Sequence, residues 1–461
     1  MPRPSLLKAF VTTSALLAAF ALAPAAGRMS PASAQEHWPQ FRGPGAGGVG
    51  ESDRLPVRWS ETENIEWRQA IPGRGWSSPI VWGQRVFATT AVSQGQTEEP
   101  MRGLYFGGNR PEPPADEYHW KVYCLDLESG RVLWDRVAHR GVPHAPIHLK
   151  NSYASETPAT DGERVYCLFG NVGLYAYDFE GNLVWKHELP AMPIRFGWGT
   201  AASPIVYRGR VYLVNDNDAD SYIAVFDART GEELLRVERP DERSNWATPF
   251  IWENELRTEL VTAGTRRVRS YDLEGNMLWE MSGMSSIAIP TPLERFGLLY
   301  VGSGYVLDPV RPIFAVRPGA TGDISLDLRG DDLSNEYIAW CNKTAGPYNP
   351  SFLVYGDLLY VLLDRGFFTC YDAHTGQEVY GKQRLPEGKE FTSSPWAYGG
   401  KVFCLDEYGK TFVIEAGPEY TLAHVNQLAE DTMCMATPAI VGDRLLLRTD
   451  RELLSIRDAS E

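Results

Sequence analysis

His148 and Glu156, eight residues apart in "HLKNSYASETP", are the one acid–base pair the sequence offers. An imidazole and a carboxyl within hydrogen-bond reach would support general acid–base chemistry. Around them stand residues suited to holding a ligand. Asn151, Arg195, Trp198, Arg243, Asn245, Trp246 and Tyr348 all lie a few residues ahead of a Ser-Pro, Thr-Pro or Asn-Pro step. Aromatic faces with guanidinium and amide tips select a flat or sugar-like molecule bearing negative or hydroxyl groups. The competing use of the same residues is structural, as hydrogen-bonding and packing caps on a channel.

Three further patterns have the form of a metal or nucleotide site. His139, His144 and His148 are spaced by five and four, which suits zinc ligands. Pro143 and Pro146 break any helix that would align them, so the stretch reads as a solvated connecting loop. "DNDAD", Asp216 to Asp220, alternates acids like a calcium loop, but Ser221 and Asp227 stand where Gly and Glu are needed. It reads as an acidic hairpin tip. "GAGGVG", Gly45 to Gly50, matches G-x-G-x-x-G with no strand before it and no helix after it, and reads as a flexible arm. No metal site is expected.

The elements that must position these residues are repeats. "YDFEGNLVWK" at Tyr177 returns as "YDLEGNMLWE" at Tyr271, with "CLDLESGRVLW", "VFDARTGEELL" and "CYDAHTGQEVY" as further copies and "AVRPGATGDISL", ending at Leu326, as a fainter one. Each reads strand, Asp-to-Gly turn, strand. Four residues past each Gly stands Trp134, Trp185, Leu235, Trp279 or Tyr380. These large side chains are assigned to inter-blade packing and each Asp to its own turn. A second marker, polar residue then proline, recurs at Pro79, Pro158, Pro204, Pro249, Pro292, Pro350, Pro395 and Pro438. Most spacings are 43 to 46 residues, the length of a four-stranded propeller blade. The two long spacings contain the polar insertions "SQGQTEEPMRGLYFGGNRPEPPADE" and "RGDDLSNE". The fold predicted is all-β: an eight-bladed propeller of four-stranded antiparallel blades. The unit at Pro438 lacks its outer strand and "ENIEWRQAI" holds an orphan one, so the N-terminal segment is expected to close the ring through Trp67.

Residues 1–34 read as a secretory signal peptide, with Arg3 and Lys8, an apolar run, and Ala32-Ser33-Ala34 as cleavage site, the alternative being an uncleaved membrane anchor, for which the apolar run is near the short limit. Residues 35–461 then form a single propeller domain. No Cys stands near the site for lipid attachment, and no later segment is apolar enough to span a bilayer. Cleavage removes three cations, taking the net charge of −15 to −18. Such a surface disfavours nucleic acid. Cys124, Cys167, Cys341, Cys370, Cys404 and Cys434 include no adjacent or C-x-x-C pair. They read as buried small hydrophobes, with inter-blade disulfides Cys124–Cys167 and Cys370–Cys404 as the alternative.

The repeats resemble the pyrroloquinoline-quinone-type propeller repeat, A-x-D-x-x-T-G-x-x-x-W, as in "AVFDARTGEELL", and the likeness runs over the whole chain past residue 34. "WPQFRGPGAGGVG" is similar to the start of exported bacterial propellers of this group. The resemblance implies either a BamB-like binding propeller or a quinoprotein dehydrogenase with quinone and calcium. The second branch carries an adjacent Cys-Cys pair that this chain lacks. The expectation is therefore a periplasmic or secreted, monomeric binding or scaffolding module without cofactor, its partner an envelope protein or a small polar ligand. The alternatives are an enzyme acting on a small polar or sugar-derived molecule at the channel mouth, and a quinoprotein dehydrogenase.

Overall fold

The computed structural model describes Met1 and residues 36–95, 99–103 and 112–458. The proposed signal peptide lies outside the described residues. Eight sheets follow one another along the chain. In blade 2, for example, Ala159–Thr160, Arg164–Phe169, Gly173–Asp178 and Leu183–Glu188 pair antiparallel in sequence order from the channel outward. The two middle strands are buried nearly throughout because neighbouring blades cover both their faces. Outer strands such as Glu233–Glu238 alternate between exposed and half-buried residues, having one covered face.

Asp-to-Gly turns join third and fourth strands, so they lie on the face opposite the segments that lead into each first strand. In these turns Asp126 Oδ1 accepts from Ser129 N at 2.9 Å and Asp227 Oδ1 from Thr230 N at 2.7 Å. The glycines do a second job. A Cβ at Gly130, Gly181, Gly231 or Gly376 would stand 2.4, 2.7, 2.5 or 2.6 Å from the ring of Trp67, Trp134, Trp185 or Trp340. Each Trp of one blade lies flat on the turn of the next and donates Nε1 to a carbonyl there, those of Leu127, Phe179, Ala228 and Ala373, at 2.8–3.0 Å.

The polar-proline marker has a different physical basis from the proline itself. Ser78 N donates to Thr157 Oγ1 at 2.9 Å, Thr157 N to Ser203 Oγ at 2.9 Å, and Ser203 N to Thr248 Oγ1 at 3.1 Å. Thr291 N donates to Ser351 Oγ at 3.0 Å, Ser351 N to Ser394 Oγ at 2.9 Å, and Ser394 N to Thr437 Oγ1 at 3.0 Å. These amides precede the first ladder bond of their strand, and a hydroxyl on the next blade satisfies each of them. Between blades 4 and 5 the link is Trp246 N to Ala288 O and Ala288 N to Asn245 Oδ1, both 3.0 Å. Between blades 8 and 1 it is Arg448 Nη1 on Ser77 Oγ, 2.5 Å.

Two expectations need correction. In blade 6 the equivalent of Ser-Pro is Ser351-Phe352, not Asn349-Pro350: the strand starts at Leu353, and the hydroxyl, not the proline, makes the joint. The outer strand of blade 5 is Ile338–Asn342, with Trp340, beyond the polar insertion. Gly322–Asp323, near the faint repeat's end, instead pairs parallel with the outer strand of blade 4.

The ring closes as expected. Ile65–Ala70 pairs antiparallel with Glu452–Arg457, Trp67 opposite Ser455. The stretch ahead of it is not a free arm. His37–Trp38 adds to the inner edge of blade 1. Pro39 O then accepts Thr160 N at 2.9 Å, Arg42 Nη2 donates to Phe352 O at 2.9 Å, and Gly48 O accepts Ala397 N at 3.0 Å. "GAGGVG" is thus packed inside the channel. Gly43, at φ 73°, lies where a Cβ would be 2.6 Å from the Trp38 ring. All six cysteines are buried and unpaired.

Ser203→Ala should cost about 1–3 kcal/mol in urea denaturation, the penalty of orphaning the buried Thr157 amide, while Ser203→Thr keeps the acceptor and most of the stability. Deleting residues 36–70 should expose the edge of Glu452–Arg457 and produce aggregates in size-exclusion chromatography.

Candidate functional site

On the leader face the channel opens into a cavity of about 470 Å³. Its collar is the ring of hydroxyl residues from Ser78 and Thr157 round to Thr437, and Phe41 of the N-terminal stretch lines it from within the channel. Blades 3 to 5 give it an aromatic side. A short turn, Arg195–Gly197, presents Phe196 at 56% exposure, with Trp198 at 5.1 Å from it and Trp246 at 5.8 Å from Trp198. The loop between the second and third strands of blade 5 adds Tyr305, Val306 and Leu307, and Tyr305 packs on Tyr348 at 5.3 Å.

The other side is polar. His148, Lys150, Arg365 and Thr392 line it. Lys150 forms an ion pair with the fully buried Glu407. Glu407 also accepts from Thr392 Oγ1 at 2.7 Å and from Gly103 N at 2.8 Å. Gly103 belongs to the long insertion of blade 1, which Arg102 anchors across the mouth by donating to Thr432 O at 2.9 Å. Asp364 lies behind this wall, accepting from Asn349 N at 2.8 Å and Tyr348 N at 3.2 Å. Burial pushes its pKa up to about 6, against those amide bonds and the charge of Lys150.

His148, Asn151, Trp198, Trp246 and Tyr348 line the cavity. His148 packs edge-on to Trp198 at 6.0 Å. Asn151 is committed to structure: Nδ2 donates to Trp198 O at 2.7 Å, and Oδ1 accepts from Ser155 Oγ at 2.6 Å. Trp246 is nearly buried and donates Nε1 to Gly199 O at 2.7 Å. Glu156, Arg195, Arg243 and Asn245 do not line it. Arg195 Nη1 donates to Ser286 O at 3.1 Å, and Arg243, exposed, donates to Glu242 O at 3.2 Å. Asn245 forms the blade 4–5 joint through Ala288.

The candidate acid–base pair is not assembled. Glu156 is fully buried, accepting from Thr200 Oγ1 at 2.5 Å and Gly170 N at 3.2 Å. It lines a separate space of about 20 Å³ with Asp216 and Asn245, room for a single water. Burial raises its pKa to about 7 in spite of those hydrogen bonds. The acidic hairpin of Asp216 to Asp220 has a buried base and an exposed tip: Arg239 Nη1 meets buried Asp216 at 2.9 Å, while Asp218, accepting from Ser244 N at 3.1 Å, and Asp220 are exposed. Of the three histidines, His139 packs on Trp120 at 5.2 Å, and His144 lines a different small space. Among the described residues no group of three or more His, Cys, Asp or Glu is placed to hold a metal.

Sequence reading missed Phe41, Lys150, Tyr305, Leu307, Arg365 and Glu407. Lys150 stands in a leader already singled out. Tyr305, Leu307, Arg365 and Glu407 sit in or beside hairpins joining second and third strands, and antiparallel order puts those hairpins on the leader face. That topological signal was available.

Fold and cavity define an eight-bladed propeller of four-stranded antiparallel blades with a mouth cavity on the leader face. Residues 118–299 match the family model described as outer membrane protein assembly factor BamB. No curated protein matches the sequence significantly. Among solved structures, BamB from Moraxella catarrhalis is 12% identical, with a TM-score of 0.52 over 78% of this chain and 99% of that one. A europium-containing methanol dehydrogenase is 11% identical, with a TM-score of 0.60 over 89% of each chain. Quinohemoprotein alcohol dehydrogenase from Comamonas testosteroni is 12% identical, at 0.55 over 92% of this chain and 81% of that one. At such identities the likeness is one of fold.

The resemblance of the repeats to the quinoprotein branch raises the question of a quinone with calcium. Calcium takes carboxylate and carbonyl oxygens, and among the described residues no Asp or Glu lines this cavity. The cysteines are buried and lie apart in the sequence. The residues present do not fit that pair.

The folded protein holds the Glu156 proton up to about pH 7, whereas the unfolded chain releases it near the ordinary value of 4.5. This contribution is complete below pH 4.5 and is lost as pH rises through 7. Stability should fall between about pH 4.5 and pH 7, and Glu156→Gln, which retains an acceptor for Thr200, should flatten that fall in urea midpoints measured across the range.

Proposed function

We propose that the protein is an exported binding or scaffolding module of the cell envelope whose ligand or partner enters the leader-face cavity. The observation that carries this reading is the cavity itself, which is lined by Phe41 from the channel side and walled by Phe196, Trp198 and Tyr305. A concave, largely apolar site with a few convergent polar groups is the usual form of a ligand pocket. Phe196 and Leu307, at 56% and 63% exposure, extend it onto the rim, where a peptide or protein surface would also make contact. The partial match to the BamB family model supports the binding branch of the fold over the dehydrogenase branch. Export rests on the charged, apolar, small-residue pattern of residues 1–34. Among the described residues no helix is long and apolar enough to cross a membrane.

Catalysis at the mouth is the weaker reading. Glu156 faces another space and is shared with Thr200 and Gly170, so the acid that acid–base chemistry would require is not at the cavity.

A photo-crosslinking side chain at position 196 or 307, in cells, should yield a defined adduct with an envelope component. The same group at Leu183 or Met277, exposed on outer strands, should not. Adducts formed only from 183 and 277 would place the partner on the blade edges and overturn the cavity reading. Trp198→Ala should abolish the adduct with little loss of stability, whereas Trp246→Ala, which removes a nearly buried ring, should cost about 3–5 kcal/mol.

A further inference from the structure

We infer that the cavity takes an amphiphilic monoanion, its single carboxylate or similar group held by Arg365 and its flat apolar body laid against Trp198 and Tyr305. The inference rests on the cavity being a binding site and specifies what it binds. Acids outnumber bases in this chain, 59 to 44, yet among the described residues no Asp or Glu lines the cavity, while Lys150 and Arg365 do. An acidic protein whose mouth cavity presents, among the described residues, only basic charged side chains favours an anion there over a cation.

The charge count sets the number of anionic groups. Lys150 is already paired with buried Glu407, and that pair is close to neutral as seen from the cavity. Arg365 is exposed, and its guanidinium has no hydrogen-bond or ion-pair partner among the described residues. It is the uncompensated charge of the lining, with a planar fork that matches a carboxylate. A second anionic group would meet no further uncompensated cation among the described lining residues and would approach Asp364 and Glu407 behind the wall. Position gives the rest of the ligand its character. Arg365 lies in the second hairpin of blade 6, on the polar side, and the Phe196–Trp198 turn belongs to the leader of blade 3, on the aromatic side. A molecule reaching from one to the other has a polar end and an apolar body. The arginines that the sequence suggested for anion binding, Arg195 and Arg243, are turned to carbonyls elsewhere.

Isothermal titration calorimetry with 2-naphthoate and the uncharged 2-naphthalenemethanol tests the inference on the chain lacking residues 1–34. The naphthoate should bind at least tenfold more tightly than the alcohol. Arg365→Gln should remove that difference and leave the alcohol's affinity unchanged. Arg365→Glu should reverse the preference, so that 2-naphthylmethylamine binds more tightly than the naphthoate. Equal binding of acid and alcohol, or a preference unaffected by either variant, would overturn the anion assignment while leaving the cavity as a binding site. Absence of binding by all three probes would overturn it as well. The photo-crosslinking result at positions 196 and 307 then separates that outcome from failure of the binding reading, since a protein partner at the rim would still give the adduct.

Discussion

The ring of hydroxyl-to-amide bonds around the channel is the constraint on which the rest of the molecule depends. A first strand two to four residues long cannot satisfy the amide just ahead of it within its own sheet, and that amide is buried. A Ser or Thr on the adjacent blade supplies the acceptor, and the same residue's amide is satisfied by the blade after it. Each joint therefore fixes both the spacing and the depth of two neighbours. Where the pattern is interrupted, between blades 4 and 5 and between blades 8 and 1, a side chain from a leader or a second strand makes the link, Asn245 in one case and Arg448 in the other.

The Trp–Gly contacts on the opposite face complement this ring. They set the distance between blades at larger radius, where a flat ring on a glycine turn fills the gap and a carbonyl takes the indole N–H. One set of contacts is polar and central, the other apolar and peripheral. Together they leave little freedom in the tilt of a blade. The cavity is a consequence: leaders held at constant depth converge on one rim, and the N-terminal stretch, crossing the channel before it closes the ring as Ile65–Ala70, brings Phe41 to its inner side. Closure of the fold and formation of the site thus share one segment.

Charge buried near the mouth serves two ends. Glu156 and Asp216 lie behind the wall between blades 2 and 3, where burial pushes both carboxyls up. Hydrogen bonds from Thr200 and Gly170 and the guanidinium of Arg239 engage them. They hold leaders to hairpins and are not offered to a ligand. Lys150 and Glu407 join the leader of blade 2 to blade 7 and recruit the insertion of blade 1 through Gly103. Among the described residues of the lining Arg365 alone stands as an uncommitted charge, which is why the electrostatics of the cavity differ from those of the acidic chain as a whole.

Blade number, strand order and closure through Trp67 were legible in the sequence, because each depends on local chemistry repeated at a fixed interval: an Asp that caps its own turn, a Gly whose positive φ that turn requires, an apolar run buried on both faces. The two misplaced elements show the limit. Pro350 imitated the marker without occupying its place, and Trp340 was displaced by an insertion, since the repeat is read by period and an insertion breaks the period while leaving the fold intact. The site was less legible. Trp198, Trp246, His148 and Tyr348 could be assigned to the mouth because leaders converge there. Which side chains turn inward is decided by partners distant in sequence: Ser286 for Arg195, Thr200 for Glu156, Glu407 for Lys150. The sequence by itself determined the repeat and therefore the propeller, and only the tertiary structure decided the site, because a repeat is written in short-range spacing whereas a cavity is formed by loops that meet across the ring.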